Sequence, residues 1–349
     1  MLTDTDKIQL IKAAIDSPSA DNSQPFKYHW FSEGELALWI DKDRSGKASD
    51  NRYVLSDIAL GAVIENINIT ANSMGCDTEI VYLPDEKNTP LHVANIVFTQ
   101  KEHGKPYDIT LAKMIPKRCT DRRFPFKGPI KQADIKQMTS AAETCGAKVA
   151  WYTNKADIKK VLPVIQKAES IRFKSQTLHK ELFSTVHFGK PTANEGMPAE
   201  VLAIEKPALP FFKLMKKWSF MTFLNKIGGA AMLGFRSVRI PILFSPALAL
   251  IKIDDNQRID VIKGGQALQR LWLQATSCGL SIQPYAAPGI FSLGFVSCEP
   301  QFEHQLIEVQ KSMSAIVNNQ GYGLMFLRVG INKPVKHRTN RRNIESFKH

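Results

Sequence analysis

Ten residues near the start of the chain, Ser17-Pro18-Ser19-Ala20-Asp21-Asn22-Ser23-Gln24-Pro25-Phe26, crowd small hydroxyls, carboxamides and two prolines into one loop. Proline fixes the backbone, while Ser, Asn and Gln supply donors and acceptors in a small volume. Such a loop suits recognition of a rigid, hydrogen-bonding ligand. The plainer reading is a proline-stiffened turn whose polar groups satisfy one another. Arg118-Cys119-Thr120-Asp121-Arg122 sets two guanidinium groups four residues apart with a hydroxyl between them, a set that can hold a phosphate through charge-assisted bonds. A surface ion-pair cluster around Asp121 is the alternative. Lys336-His337-Arg338 adds a third basic cluster close to the C-terminus, otherwise read as a basic tail.

Other chemistries find little support. The five cysteines lie far apart without a C-x-x-C pair, which implies reduced, mostly buried thiols. The eight histidines are scattered, so no zinc or iron site is expected. There is no G-x-S-x-G and no G-x-G-x-x-G after a strand, because Gly228-Gly229-Ala230-Ala231 follows a helical run. The net charge of +13 is concentrated. Residues 206–239 hold seven Lys/Arg and no acid, and residues 330–349 hold six Lys/Arg and one Glu. Neither stretch fits a nucleic-acid-binding module, so no nucleic-acid partner is expected. The polar, acidic N-terminus has no signal-peptide pattern. The run Ile240–Ile251 is too short and too proline-broken to span a bilayer. A cytoplasmic protein is the expectation.

The elements that must position these clusters alternate in type. Periodicity predicts a helix capped by Asp4 or Thr5 and running to about Asp16, a hairpin over 27–41, and a helix from Ser56 or Asp57 to Gly75 with Leu60, Val63, Ile64 and Ile67 inward. Strands follow over 79–83 and 91–99. A second pattern opens near Pro116, with a helix over 131–145, a strand over 148–153 and a long helix over 154–183 bent at Pro163. A strand over 247–253, a helix over 256–279 burying Leu268, Leu271, Trp272 and Ala275, a helix over 300–319 and a strand over 322–329 complete the chain. The halves echo each other weakly, as two diverged α+β units: residues 1–115, and residues 116–349 with an insertion at 187–245.

The loop reads like the SPS-x-x-N-x-QPW flavin-contacting loop of the FMN-dependent nitroreductase family, with Phe26 in the usual Trp position. Arg118, Thr120 and Arg122 are similar to that family's R-x-S-x-R/K phosphate motif, and Lys336 and Arg338 to its K-x-R motif. The chain resembles in particular the Acg-type, fused nitroreductase-like proteins. The resemblance implies an α+β nitroreductase-like fold of two fused units, each a mainly antiparallel sheet packed with long helices. It implies one FMN site per chain, made by Ser17, Pro18, Ser19, Asn22 and Gln24 from one half and Arg118, Thr120, Arg122, Lys336 and Arg338 from the other. Pro284, Tyr285 and Ala286 fall where the family places backbone facing the flavin ring. NAD(P)H is then the expected hydride donor to a small acceptor, with the flavin carrying the chemistry, in a monomer or weak homodimer. A non-catalytic flavin store, with its ring covered, is the alternative. The aromatic and basic run 211–223 reads as a lid over the flavin, as a membrane-surface helix, or as an ordinary core helix.

Overall fold

The computed structural model describes residues 2–100, 109–189 and 192–349. Its first half contains α1 (Asp4–Ile15), β1 (Phe26–Ser32), β2 (Glu35–Ile40), α2 (Val54–Ser73), β3 (Cys76–Tyr82) and β4 (His92–Gln100). The second half begins with α3 (Gln132–Glu143), β5 (Lys148–Tyr152), α4 (Lys155–Lys174) and α5 (Gln176–Thr185). The two-residue strands β6 (Val186–His187) and β7 (Met197–Pro198) pair with each other. Short helices α6 (Leu209–Met215), α7 (Trp218–Lys226), α8 (Gly229–Gly234) and α9 (Ile240–Leu243) lead to β8 (Ala247–Ile253) and α10 (Arg258–Ser277). The chain finishes with β9 (Ser281–Tyr285), α11 (Ala287–Ser292), α12 (Glu303–Ile316) and β10 (Tyr322–Gly330).

The internal echo is far plainer in topology than in sequence. The first sheet has strand order β1-β2-β4-β3 and the second β5-β8-β10-β9, all pairs antiparallel. Each sheet is therefore strand, strand, helix, strand, strand with the last two exchanged. In the first half a tight Ser32-Glu33-Gly34 turn joins the opening pair. In the second half the same connection carries everything from α4 to α9, so the inserted material starts well before residue 187. The helix α4 runs on through Pro163, and the break falls at Ser175, whose side chain accepts from the Leu178 amide and starts α5.

Two 20-residue helices, α2 and α10, lie side by side at the centre. Laid end to end, Ile58 corresponds to Ile262 and Gly61 to Gly265. The contacts obey that correspondence. A Cβ on Gly61 would lie 2.0 Å from the Ile262 carbonyl oxygen, and one on Gly265 2.2 Å from the Ile58 carbonyl oxygen. Only glycine lets the two backbones approach this closely. The polar contacts follow the same symmetry. Glu65 accepts from Arg270 Nη1 at 2.8 Å, and Gln269 donates to Asn66 Oδ1 at 2.6 Å. The helical stretch Ala48–Ser73, which ends with α2, is long and apolar enough by composition to cross a membrane, and 89% of its most apolar window is buried inside the protein.

Caps differ from expectation where the signal is reciprocal or remote. Thr3, not Asp4 or Thr5, caps α1, through a capping box with Asp6. Asp50 supplies the cap of α2, accepting from the Leu55 and Ser56 amides at 2.7 and 3.0 Å. All five cysteines are free and half-buried rather than core residues.

The C-terminal segment leaves β10 and crosses back to the first half. Phe347 is fully buried, its ring 4.7 Å from that of Phe26. Lys348 bridges to Tyr28, and Lys27 Nζ donates to the Ser346 carbonyl at 2.9 Å. The basic tail is thus an ordered strap that closes the molecule.

Candidate functional site

The loop after α1, the segment 115–122 and the tail 337–341 meet around a cavity of about 120 Å³. Pro18, Ser19, Asp21 and Asn22 come from the first half; Arg118, Thr120, Arg122 and Arg338 come from the second. Residues up to 325 positions apart in sequence, Asp16 and Arg341, therefore share one wall. The segment carrying Arg118 is stitched to the second sheet, since Thr120 bridges Ile282 and the Asp121 amide donates to the Ile282 carbonyl at 2.9 Å. The buried Asp121 carboxylate binds Arg123 and Asn332, so it stabilises the loop and does not neutralise the cavity arginines.

Arg118 is buried, with its guanidinium 4.7 Å over the Trp272 ring and Nη2 donating to the Asp16 carbonyl at 3.1 Å. Its Nε is buried without a partner. Burial, aided by the charge on Arg341, pushes Arg118 down to about 9. A guanidinium does not release its proton in a protein, so the cost is carried as an unmet need for negative charge. Burial also lowers Arg122, which donates to the Val201 carbonyl at 3.3 Å and contacts Met197 Sδ at 3.7 Å. Arg338 Nη1 donates to the Pro116 carbonyl at 2.6 Å. These cations spend their hydrogen bonds on carbonyls, which leaves their charge available to an anion.

Arg341 is a cavity residue that the motif spacing does not single out. Its Nε donates to the Ile15 carbonyl and its Nη1 to Asn22 Oδ1, both at 2.9 Å. The only sequence signal is the Arg341-Arg342 pair, which the K-x-R spacing of Lys336 and Arg338 overshadows. Asp16, Cys119, Met197 and Val201 also line the cavity. Burial raises Asp16, opposed by Arg341, Arg118 and Arg338. Asp16 is thus a carboxylate placed to compete with an incoming anion at the end of α1, with Asp21 across the same lining beside Arg122. Asp16→Asn should tighten inorganic phosphate about fivefold, from the loss of one partly screened repulsion. Isothermal titration would show it, and unchanged or weaker binding would remove Asp16 from the site.

Of the remaining expected residues, Asn22 lines the cavity and Ser17, Gln24, Pro284, Tyr285, Ala286 and Lys336 do not. Gln24 is buried and fully engaged: Nε2 donates to the Asn194 carbonyl at 2.8 Å, and Oε1 accepts from the Arg342 amide at 2.9 Å. Asn22 reaches the cavity, yet its Nδ2 donates to the carbonyls of Gly196 and Asn340. Asp21, Asn22 and Gln24 hold φ of +51°, +57° and +50°, a strained run fixed by these contacts. The Ser17 side chain is buried beside the cavity rather than in its lining, and the Ser17 carbonyl accepts from Arg341. Pro284 and Tyr285 pair with Leu327 and Phe326 in the second sheet, with the Tyr285 ring buried and its hydroxyl 3.3 Å from the Ser237 carbonyl. Ala286 leads into α11. Lys336 is exposed and does not line the cavity. The insertion divides in role. Residues 194–201 close over the loop and cavity, whereas α6–α8 form a separate apolar cluster with Phe173 and Phe183.

No family model matches the chain. Relatives in Mycobacterium tuberculosis do. The chain is 27% identical over 275 residues to the protein named "Putative NAD(P)H nitroreductase acg", covering 78% of this chain and 77% of that one. It is 22% identical over 325 residues to "Putative NAD(P)H nitroreductase Rv3131", covering 92% and 83%. It is 23% identical over 328 residues to "Uncharacterized protein MT1398", covering 91% of this chain but only 44% of that longer protein. Among solved structures, the FMN-dependent nitroreductase NfnB from Mycobacterium smegmatis aligns with TM-score 0.40 and 12% identity over 68% of this chain and 96% of that one. The likeness to nitroreductase-like proteins read from the sequence is thus supported by relatives along most of the chain.

Proposed function

We propose that this chain is an FMN-binding oxidoreductase that passes reducing equivalents from NAD(P)H to a small acceptor. The observation that carries the reading is the cavity itself. It joins two sequence-distant halves around four arginines, and buried Arg118 keeps one donor unused. That donor set fits a phosphate dianion: Arg118, Arg122, Arg338 and Arg341 share one lining with Thr120 and with Ser19, whose hydroxyl accepts from the Gln24 amide and keeps its own proton to donate. The volume of about 120 Å³ suits the phosphate end of FMN, and the tricyclic ring must lie beyond it. Bound there, the flavin would supply a two-electron hydride carrier, which is why the protein itself needs neither a nucleophile nor a paired acid and base. The chain's own tasks are to fix the phosphate, to hold the strained 21–24 loop, and to keep water off the cavity with Met197 and Val201. The repeated strand order supports a fused arrangement, and among the described residues the four cavity arginines all come from positions after 116. The names of the mycobacterial relatives point to the same nicotinamide-linked chemistry.

The test is the visible spectrum of the purified protein under anaerobic conditions. We expect a flavin spectrum with a single FMN per chain, and bleaching when NADPH or NADH is added. Two FMN per chain would show a second working site. A bound flavin that neither nucleotide reduces would overturn the catalytic reading and leave a flavin store.

A further inference from the structure

We propose that the outer face of the inserted helices docks on an anionic lipid bilayer. The inner face of this insertion is already satisfied: Met215, Met221, Leu224 and Ala230 pack against Phe173 and Phe183. What the core does not need points outward. Of the thirteen exposed large hydrophobic residues among those described, seven lie between Phe211 and Phe244. They fall on consistent faces. On α7 the exposed positions Phe223, Lys226 and Ile227 follow the helical repeat, with Ile227 68% exposed. Met232, Phe235 and Arg239 do the same from α8 onward, and Phe244, 60% exposed, ends the run. Exposed apolar clusters of this kind mark an interaction surface.

The charge selects the partner. Residues 206–239 carry seven basic side chains and no acid. Arg236 is partnered by Glu205 and lies over the Phe124 ring, which leaves the five lysines and Arg239, bonded among the described residues only to the neutral Gln166, as the uncompensated charge. Lys213, Lys216 and Lys217 line an open groove of about 570 Å³ with Phe188 and Leu214. Exposed apolar side chains and unpaired lysines on one inserted segment match the interface of a bilayer rich in acidic headgroups, where rings and aliphatic groups enter the acyl boundary and ammonium groups meet phosphate. A second copy fits worse, because the same positive patch would face itself across a twofold axis. A nucleic acid would use the lysines but gives no place for Ile227 or Met232.

The experiment is co-sedimentation of the full chain with vesicles of phosphatidylcholine alone and of phosphatidylcholine mixed with phosphatidylglycerol. Binding is expected only to the mixed vesicles, weakening with added salt. Lys213→Glu/Lys216→Glu should lower the partition coefficient well over tenfold, since each lysine near the surface contributes about fivefold. Phe223→Ser/Ile227→Ser, at exposed positions, should lower it about tenfold with the far-ultraviolet circular dichroism unchanged. Equal binding to both vesicle types, or none, overturns the proposal. So does a serine variant that binds like the parent chain, which would reduce the effect to charge attraction alone. Concentration-dependent dimerisation without vesicle binding would assign the face to self-association instead.

Discussion

Arg118→Met is expected to lower FMN affinity by about 10- to 100-fold while making the ligand-free chain more stable. Both effects have one cause. Arg118 is buried over Trp272, close to Arg341, with its Nε unpartnered and, among the described residues, no carboxylate bonded to it. A hydrogen bond between charged partners contributes about 1.5–3 kcal/mol, and in this cavity a bound phosphate is the missing partner. Without that anion the cation is a burden. Replacing uncompensated buried charge with an apolar side chain of similar volume is neutral or stabilising by about 1–4 kcal/mol. Urea unfolding of the ligand-free variant should therefore show a midpoint at or above that of the parent chain, while FMN titration shows the weakened binding. A variant that loses both stability and affinity would mean that Arg118 is a structural residue. Unchanged affinity would remove it from the clamp. Functional sites commonly hold such a conflict between stability and binding.

Arg258→Met is expected to destabilise the fold by about 3–5 kcal/mol near neutral pH, because it strands a buried carboxylate. Arg258 Nε and Nη2 each lie 2.9 Å from an oxygen of Asp57, which is 1% exposed. Even with this partner, burial pushes Asp57 up to about 6 from its ordinary 3.8. The sign follows directly. The folded carboxyl binds its proton more tightly than the unfolded one, so this group's contribution to stability improves as pH falls from above 6 towards 3.8. Removing Arg258 raises the folded pKa further. The penalty should therefore shrink between about pH 7 and pH 5, where the stranded acid becomes neutral. Asp57→Asn/Arg258→Met should recover most of the loss, since no charge is left buried. Urea unfolding of the three variants at both pH values decides it. A loss below about 1 kcal/mol, or one independent of pH, would show that solvent already screens this pair.

The local elements were legible because each has a local cause. The apolar repeat of α2 and α10, the alternation of the strands and the Gly75 and Gly279 stops all act over a few residues. The break at Ser175 was misplaced because a proline is a conspicuous breaker, whereas a serine cap competes with dozens of ordinary serines. The internal repeat was faint for a similar reason. Residues such as Gly61 and Gly265 or Glu65 and Arg270 take their meaning from a backbone or side chain about 200 positions away.

By itself the sequence determined the kinds of group available for an anion site: a polar, proline-bounded loop, Arg118-x-Thr120-x-Arg122, and a basic tail. It also determined the helices and strands that carry them. Tertiary structure alone decided which of those groups converge. It ties Gln24 to Asn194 and Arg342, leaves Lys336 outside, and brings Arg341 back across the molecule to the Ile15 carbonyl and Asn22. The physical reason is that a guanidinium can satisfy itself on any carbonyl the fold presents. Its partner is chosen by where Phe347 and Lys348 anchor the strap on the first sheet, and no residue spacing encodes that choice.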